Sequence, residues 1–293
     1  MIYTVTSNPS LDYFTYGKYA IGEVNRAERA YFVPGGKGIN ISLILQNFGI
    51  PSVALGMAGG FTGTELLKML DVRNITHSFV TVAYPTRVNV KCVTEGRVTE
   101  INAPAPDITA KEREAFLRLF DCVKEGDTVV LSGSDPHLIY PEVLDRVKGA
   151  FVAVDTGGRS LSECIKRRPG LIKPNIYELS ELVGAEVTPL NGAEYAGSIA
   201  RGGTDVLLTM GEDGALLATS ETVKYAKIIK PKKAVNTVGC GDSALAGYLY
   251  ARIMGTEPVV TAAAAGSASA YKEGFCTLSD MLEIMEEGIE LQR

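Results

Sequence analysis

The sequence lacks several features that would assign it to a broad class of protein. Its 293 residues include five cysteines, an odd number with no CxxC pair, so neither a disulfide framework nor a zinc site is indicated. No apolar run approaches the roughly 18 residues that span a bilayer. The first ten residues, MIYTVTSNPS, show no basic or apolar signal region. We therefore expect a cytoplasmic protein that is neither secreted nor inserted in a membrane.

An excess of positive charge is also missing. The chain has 29 Lys and Arg against 34 Asp and Glu, a net charge of −5. Nucleic-acid binding depends on clustered cations, so this balance argues against a nucleic-acid partner. A small anionic ligand needs only a few local cations. The hydrophobic fraction of 46% and the charged fraction of 22% are typical of a globular protein that folds unaided.

Two sequence motifs for nucleotide binding are absent as well. The chain has no GxxxxGK[ST], which excludes a P-loop. No GxGxxG follows the first predicted strand, which weakens a dinucleotide-binding interpretation. Any phosphate chemistry must therefore be organised by a different arrangement of backbone and side chains.

From about residue 127 the sequence alternates between short β-branched runs and helical stretches. DTVVLSGS, AFVAVDTGG, GLIKPN and DVLLTM are typical of buried strands, and helical segments separate them. This βαβ pattern predicts an α/β fold with a mostly parallel sheet flanked by helices on both faces. Functional loops are then expected at the carboxyl ends of the strands. The length allows one large domain or two smaller ones, and we expect a single domain over residues 1–293.

The first hundred residues follow a different pattern. TRVNVKCVT and RVTEINA alternate as in a sheet with one wet face, and Glu95 and Gly96 join them as a tight turn. With the strand-like LDYFTYGKY and NRAERAYFV, they predict a small sheet that projects from the main body. We interpret the segments of about 11–34 and 86–104 as a lid or a dimer-forming flap. An ordinary edge hairpin is the alternative.

A glycine-rich segment, VNTVGCGDS, lies where a helix should begin. Strand-like residues 228–236 lead into it and apolar residues at helical spacing follow, which places Gly239 to Asp242 at a helix N-terminus. There the first backbone N–H groups lack partners within the helix and the helix dipole is positive. Glycines let such a backbone approach an anion closely, so we predict a phosphate cradle.

Asp242 has two possible roles in this cradle. A carboxylate at a helix start can simply cap the helix, which stabilises it by roughly 1 kcal/mol. Beside an anion-binding turn, the same carboxylate can accept the proton of a hydroxyl nucleophile in phosphoryl transfer. Taken alone, the residue does not decide between the two.

Three other segments place polar groups at the ends of predicted elements: NPSLD, PGGKGIN and KPNIYE. In the first segment, Asp12 can accept hydrogen bonds from sugar hydroxyls. In the second, Lys37 and Asn40 supply a cation and an amide at a helix start. The third supplies a lysine for a nucleotide phosphate, and an amide and a carboxylate for metal-bound water. A strand end or a solvated helix face would explain each segment as well. The residues concerned are Asp12, Lys37, Asn40, Lys173, Asn175 and Glu178.

The combination of motifs is more specific than any one of them. The chain resembles the ribokinase-like sugar kinases of the phosphofructokinase B family. The segments that carry the resemblance are, in chain order, NPSLDY, PGGKGIN, GGFTG, TRVNVK, TEIN, SGS, IKPNIYE, GEDGALL and VNTVGCGDS. The resemblance runs from residue 1 to about 278, and GGKGIN and NTVGxGDS are its most specific motifs. Within the family it is closest to the 1-phosphofructokinase branch, and next to the tagatose-6-phosphate kinases.

The resemblance implies an activity and its requirements. The implied reaction is the ATP- and Mg²⁺-dependent phosphorylation of fructose 1-phosphate at its 6-hydroxyl, which gives fructose 1,6-bisphosphate. Tagatose 6-phosphate or another phosphosugar is the alternative substrate, and a non-catalytic sugar-phosphate sensor is the less favoured alternative. A homodimer formed through the lid is implied as well, with no nucleic-acid partner and no membrane.

The resemblance also implies roles for individual residues. Asp242 would be the catalytic base, and the backbone of Gly239, Cys240 and Gly241 would form the anion hole. Sugar hydroxyls would be held by Asp12, Gly36 and Asn40, with Ser134 and its loop bordering the sugar. Lys37 and Arg87 would bind the phosphate already on the sugar, with Arg26 reaching in from the flap, either of the same chain or of a second subunit. The ATP side would be lined by Lys173, Asn175, Glu178, Thr209, Gly211, Gly214 and Ser267, with no direct metal ligand and with Asn175 and Glu178 reaching Mg²⁺ through water.

A few positions depart from the family pattern. Cys240 stands where alanine is usual, and Ser7 stands where leucine is usual. The segment SGSDPHLIYPE has Asp135 and His137 where the family commonly has an apolar residue and often a lysine, and the helix after it is about two turns shorter.

Overall fold

The described part of the chain, residues 1–95 and 97–292 of a computed structural model, forms two sheets with helices around the larger one. The strands are β1 (Ile2–Thr6), β2 (Ser10–Tyr16), β3 (Arg29–Gly35), β4 (Ser52–Ala58), β5 (His77–Thr81), β6 (Arg87–Thr94), β7 (Arg97–Asn102), β8 (Thr128–Ser132), β9 (Phe151–Asp155), β10 (Leu171–Ile172), β11 (Asp205–Thr209), β12 (Ala215–Ala218), β13 (Val223–Ile228) and β14 (Ile289–Gln292). The α-helices are α1 (Lys37–Asn47), α2 (Gly60–Val72), α3 (Ala110–Arg118), α4 (Tyr140–Arg146), α5 (Gly158–Ile165), α6 (Ile176–Val183), α7 (Gly192–Arg201), α8 (Cys240–Met254), α9 (Pro258–Ala270) and α10 (Leu278–Glu287).

The main sheet has the strand order β14-β13-β12-β11-β10-β9-β8-β1-β4-β5. The strands from β11 to β5 in this order run parallel, and β12, β13 and β14 add an antiparallel edge. Helices cover both faces of a parallel sheet, so its strands are continuous apolar runs, such as VVL in β8. The mostly parallel sheet predicted from the βαβ pattern is confirmed.

Two apolar clusters hold the helices against the two faces of the main sheet. On one face, α1 and α8 pack with α9 and α10, and Ile44 and Leu249 lie in that cluster. On the other face, α3 to α7 contribute Phe116, Leu161 and Leu179, among others. Among the described residues, none of the helices combines the length and the apolar character needed to cross a bilayer.

The second, small sheet has the strand order β3-β2-β6-β7. Two antiparallel pairs, β2 with β3 and β6 with β7, are joined by the parallel pairing of β2 with β6. These strands lie within residues 10–35 and 87–102, close to the segments expected to form a projecting sheet. Gly96, half of the predicted tight turn between β6 and β7, lies outside the described residues.

The segment that leads into α8 differs from its prediction. The pattern predicted a strand over 228–236, but β13 ends at Ile228 and the chain from 229 to 238 is irregular. Pro231 cannot donate to a strand ladder, which explains the early end. The N–H groups of Val235 and Asn236 instead donate to the carbonyl of Ala270, at 2.7 and 3.2 Å. The loop is therefore held against the end of α9, in front of the start of α8.

Candidate active site

The glycine-rich motifs of α1 and α8 meet at the carboxyl edge of the main sheet. The side-chain amide of Asn40 in α1 donates from Nδ2 to Oδ2 of Asp242 in α8, at 2.7 Å, across 202 residues of sequence. Asp155, the last residue of β9, and Lys173, which follows β10, lie at the same edge. Ligands bind at this edge in open α/β sheets, so the fold brings the predicted transfer residues together where chemistry is expected.

The start of α8 has the geometry of an anion cradle. Gly239 is the N-cap, with a φ of 79°, and a Cβ at this position would overlap the ring of Phe275. Only glycine adopts this conformation without strain in such a place. A Cβ on Gly241 would lie 3.2 Å from Nζ of Lys173, so the lysine ammonium lies beside the first helical turn. The N–H of Cys240 has a distant partner, the carbonyl of Thr237 at 3.5 Å. The N–H groups of Gly241 and Asp242, together with the ammonium, therefore present positive charge at one place.

Asp242 is a buried carboxylate in this turn. Burial and the charge of Asp155 raise its pKa, whereas Lys37, the Asn40 hydrogen bond and Lys173 lower it, and the net result is a pKa raised to about 6. The carboxyl group is therefore ionised above about pH 6 and protonated below it. A pKa near the working pH is what a general base requires.

Asp155, which the sequence analysis did not select, organises the cations of the site. Its side chain is fully buried, and its Oδ1 lies 2.9 Å from Nζ of Lys37 and 3.1 Å from Nζ of Lys173. Burial alone would raise the pKa of Asp155, but the two lysines more than offset this and the pKa is lowered. Its Oδ2 is buried without a hydrogen-bond partner among the described residues. An acid at the end of a buried strand, as in AFVAVD, is the signal that could have found it.

Lys37 makes its contacts with carboxylates. Besides Asp155, its Nζ lies 4.0 Å from Oε1 of Glu178. Burial would lower the pKa of Lys37, but Asp155, Asp242 and Glu178 raise it above the usual value for lysine. The ammonium therefore stays charged, and it lies with Asp155 at the same edge of the sheet as Lys173. Its expected role at the phosphate of the sugar, together with Arg87, stays a prediction.

Asn175 and Glu178 form the capping box of α6. The Asn175 side chain accepts a hydrogen bond from the N–H of Glu178 at 2.9 Å, and Oε2 of Glu178 accepts one from the N–H of Asn175 at 2.9 Å. The N-x-x-E spacing is thus explained first by the helix start. Because the box uses Oε2, the other carboxylate oxygen of Glu178 faces Lys37 and the centre of the site.

A second group of polar residues lies on the small sheet. Oδ1 of Asp12 accepts hydrogen bonds from Oγ of Ser10 at 2.6 Å and from Nδ2 of Asn89 at 3.1 Å. Asn89, which the sequence analysis did not select, is buried on the adjacent strand. A Cβ on Gly35 would lie 2.5 Å from Oδ1 of Asp12, and one on Gly36 would lie 2.6 Å from Thr6. These glycines are therefore required by contacts within the protein itself.

Arg87 is a partly buried cation at the base of the small sheet. Its Nη1 donates to the carbonyl of Ala103 at 3.2 Å, and its Nη2 donates to the carbonyl of Asn8 at 3.3 Å. Within residues 1–95 and 97–292, its buried Nε has no hydrogen-bond partner. Burial lowers the pKa of Arg87, an effect that nearby Asp12 opposes. Arg87 is therefore a cation whose hydrogen bonds go to neutral carbonyl groups.

Comparison with known proteins identifies the family. The family model for pfkB carbohydrate kinases matches residues 6–272. The chain belongs to the pfkB family. A 1-phosphofructokinase of Bacillus subtilis is 39% identical over 98% of this chain and 98% of its own length. A tagatose-6-phosphate kinase of Staphylococcus epidermidis is 33% identical over 84% of each chain.

Solved structures support the same fold for this pfkB kinase. The crystal structure of phosphofructokinase-2 from Escherichia coli in complex with substrates and products has a TM-score of 0.90 and 28% identity, and the match covers 97% of this chain and 98% of that one. The predicted resemblance to the phosphofructokinase B family is thereby confirmed, and the chain is a carbohydrate kinase by family.

The remaining predicted residues of the nucleotide side lie near the same edge of the pfkB fold. Thr209 ends β11 and its N–H donates to the carbonyl of Pro174 at 3.1 Å. Gly211 and Gly214 form the turn that follows; a Cβ on Gly214 would overlap the carbonyl of Ala226, whereas a Cβ on Gly211 would meet open space. Ser267 follows Gly266 in α9. A Cβ on Gly266 would lie 3.3 Å from the carbonyl oxygen of Cys240. Ser267 is thus next to a residue that packs on the cradle.

Ser134 and Arg26, both predicted to bind the substrate, lie in different parts of the structure. Oγ of Ser134, in the loop after β8, accepts a hydrogen bond from Nδ2 of Asn8 at 3.0 Å. It therefore belongs to the sugar end, beside the residue that Arg87 contacts. Arg26 lies in the exposed connection between β2 and β3. The seven residues of β2 carry that connection about 20 Å from Ser10, so Arg26 is not part of the site of its own chain.

Proposed function

We propose that this chain is a 1-phosphofructokinase, which transfers the γ-phosphoryl group of ATP to the 6-hydroxyl of fructose 1-phosphate. The products are fructose 1,6-bisphosphate and ADP. The observation that carries the proposal is the position of Asp242: a buried carboxylate in the first turn of α8, beside the lysine-flanked N–H groups and bonded to Asn40. This arrangement puts a proton acceptor next to a phosphate cradle. The similarity to a 1-phosphofructokinase over nearly the full chain supports the substrate.

The carboxylate and the cations have separate roles in the phosphoryl-transfer step. Asp242 accepts the proton of the attacking hydroxyl, and Asn40 orients the carboxylate through its hydrogen bond. The first N–H groups of α8 and the ammonium of Lys173 neutralise the phosphoryl group in transit. Lys37, held by the same carboxylate as Lys173, adds a second positive charge at the sheet edge. Positioning and charge neutralisation supply most of the rate in phosphoryl transfer.

The residues of the nucleotide side fit a magnesium ion that arrives with ATP. Among residues 1–95 and 97–292, no cluster of three or more His, Cys, Asp or Glu side chains could hold a metal by itself. Mg²⁺ prefers oxygen ligands and keeps several waters when it is bound with substrate phosphates. Glu178, with one carboxylate oxygen outside the capping box, and Asn175 would reach such waters. When bound, the ion would offset the charge of the nucleotide phosphates.

The sugar end recognises an anionic substrate. Among residues 1–95 and 97–292, the guanidinium of Arg87 hydrogen-bonds only neutral carbonyl groups, and an arginine suits a phosphate because its planar fork can donate twice. Asp12 and Asn40 would hold the sugar hydroxyls, with Gly36 in backbone contact. The small sheet that carries Asp12 and Arg87 would act as a lid, which excludes water while the phosphoryl group moves.

The outer face of the small sheet supports the proposal of a homodimer through this sheet. Phe32, Tyr13, Val90 and Ile101 lie side by side across all four strands, on the face opposite to Asp12 and Asn89. Phe32 and Ile101 are 42% and 60% exposed. An apolar row of this kind is typical of an interface, and a second copy would bring its Arg26 toward this site. A cytoplasmic location is consistent with five cysteines that are all free.

A substrate panel tests the proposed function. ADP release is measured with ATP and Mg²⁺ and, in separate reactions, fructose 1-phosphate, tagatose 6-phosphate and fructose 6-phosphate. We expect fructose 1-phosphate to give the highest kcat/KM, and phosphorus NMR of its product to show phosphate on carbons 1 and 6. A higher kcat/KM with tagatose 6-phosphate would reassign the substrate to that of the second relative. Sugar-phosphate binding without ADP release in any reaction would contradict a kinase and support a sensor.

A further inference from the structure

Asp135 is a buried carboxylate that the proposed reaction does not use. It is 6% exposed, in the loop between β8 and α4. Its Oδ1 accepts a hydrogen bond from the N–H of Ile139 at 2.9 Å, and its Oδ2 accepts from the N–H of Tyr140 at 3.0 Å and from Oγ of Ser160 at 2.7 Å. Within the part of the chain that is described, no cation pairs with it. Neutral donors from two helices thus fix its position.

The same carboxylate and Tyr140 hold Ser7 at the end of β1. Oγ of Ser7 lies 3.3 Å from the carbonyl of Ser134 and 3.5 Å from Oδ1 of Asp135, so its single proton is shared between them. The N–H of Ser7 donates to the hydroxyl of Tyr140 at 3.1 Å, and that hydroxyl donates to the carbonyl of Ser132 at 2.6 Å. Both the backbone and the side chain of Ser7 are therefore anchored.

Ser7 and the next residue, Asn8, form the first connection from the main sheet to the small sheet. Nδ2 of Asn8 donates to Oγ of Ser134 at 3.0 Å, which ties the connection to the loop after β8. The carbonyl of Asn8 accepts the hydrogen bond from Nη2 of Arg87 at 3.3 Å. A continuous series of contacts therefore runs from the buried carboxylate of Asp135 to the guanidinium that the proposed function assigns to the sugar's phosphate.

Ser7 and Asp135 form a polar pair at the end of β1. Oγ of Ser7 lies 3.5 Å from Oδ1 of Asp135. An apolar pair would fill the same space, but it would accept no hydrogen bond from the start of α4. The polar pair instead fixes both backbones.

We propose that Asp135 is a positioning residue for the sugar end of the site, acting through Ser7 and Asn8 on Arg87. It touches neither substrate nor the reacting atoms. It holds the carbonyl that orients the guanidinium, and it holds Ser134 beside the same connection. The expected effect on the KM for the sugar rests on the proposed function. The anchoring of residues 7 and 8 is independent of that function.

Two single substitutions separate positioning from general stability. Ser7→Ala and Ser160→Ala each remove one hydroxyl next to Asp135, but only Ser7→Ala removes the side-chain contacts that link Asp135 and the carbonyl of Ser134 to the connection after β1. We expect similar losses of Tm in both variants, and a rise of about tenfold in the KM for fructose 1-phosphate in Ser7→Ala alone. The KM for ATP should stay within about twofold in both. Equal effects of the two variants on the sugar KM, or equal changes of both KM values in Ser7→Ala, would overturn the proposal.

Hydrogen exchange tests the anchoring without any activity. Mass spectrometry should show faster amide exchange over residues 7–16 in Ser7→Ala than in Ser160→Ala, since only the former loosens the connection. Identical exchange in the two variants would contradict the role of Asp135. If the unaltered protein phosphorylates no ketohexose phosphate, the proposed function fails, and the exchange comparison still decides whether this network anchors the small sheet.

Discussion

The two ends of the site differ in how their charges are satisfied. At the transfer end, the cations pair with a carboxylate: Asp155 binds Lys37 and Lys173. At the sugar end, among the described residues, the guanidinium of Arg87 hydrogen-bonds only neutral carbonyl groups. The cations of the first end thus have an anionic partner within the protein, whereas under the proposed function the anionic partner of Arg87 would be the phosphate of the sugar.

The supporting structure differs in the same way. The transfer residues follow parallel strands that are packed between two apolar clusters, so their positions are fixed by the core. Asp12, Asn89 and Arg87 lie on a four-stranded sheet whose outer strand, β7, is exposed along its whole length. Under the proposed function, catalysis would use a preorganised centre, whereas substrate selection would use the part of the molecule that is easier to move.

The largest expected difference between the two ends concerns the loss of a lysine. Lys173→Met leaves the fully buried Asp155 with one cation, and we expect a loss of about 3–5 kcal/mol of unfolding free energy. Lys91→Met removes a partner 2.7 Å from Glu100, which is 40% exposed on the small sheet, and we expect a loss of about 1 kcal/mol or less. Urea unfolding followed by circular dichroism measures both. Equal losses would show that the two ends are not supported differently.

Arg87→Lys tests whether the sugar end recognises a phosphate by geometry as well as by charge. Lysine keeps the positive charge but cannot reach two carbonyls and a phosphate at once. We expect the KM for fructose 1-phosphate to rise by about 30-fold, while the KM for ATP and the Tm change little. Steady-state kinetics with each substrate varied in turn gives the answer. A parallel rise in the KM for ATP would place Arg87 at the transfer end instead.

The pH profile of kcat should shift in opposite directions when Asp155 and Lys37 are substituted, which tests the electrostatics of the transfer end. The base is active when Asp242 is deprotonated, so kcat should fall as the pH drops through about 6, the pKa raised by burial. The charge of Asp155 raises this pKa and that of Lys37 lowers it. The acid limb should therefore move to lower pH in Asp155→Asn and to higher pH in Lys37→Met. Arg87→Lys serves as the control with no shift, and shifts in the same direction would contradict the electrostatic assignment.

The smallest effect is expected at Cys240. Burial, with the nearby charge of Asp242, raises the pKa of this thiol to about 11, so it is protonated and unreactive at neutral pH. Because the cradle is made by backbone N–H groups, Cys240→Ala should change kcat by less than about twofold. Iodoacetamide should modify the unaltered thiol slowly. A larger loss of kcat would mean that the side chain itself takes part in the site.

Much of the fold could be predicted because strands and helix starts leave patterns in short stretches of sequence. The βαβ alternation after residue 127 predicts the parallel sheet, and the glycines before apolar runs predict the starts of α1 and α8. The strand predicted over 228–236 was wrong beyond Ile228, because a proline within the run outweighs its apolar residues. The pattern also gave no sign that β2 and β6, 70 or more residues apart, pair in parallel.

The site could be predicted only in part. Motifs identified the residues that sit in unusual backbone, such as Gly239, and those that begin helices, such as Asn175 and Glu178. Asp155 and Asn89 were missed because each stands singly in an ordinary strand, and their importance comes from burial beside partners distant in sequence. Asp135 was noted as a departure, but its hydrogen bonds depend on helices and loops that only the folded chain brings together.

The most direct test of the central claim is the turnover of Asp242→Asn with ATP and fructose 1-phosphate, measured together with ATP binding by calorimetry. Asparagine keeps the shape and the contact with Asn40 but cannot accept the hydroxyl proton. We predict that kcat falls by at least about a hundredfold while the Kd for ATP stays within about threefold. Normal turnover in this variant would contradict the assignment of Asp242 as the base, and with it the proposed mechanism.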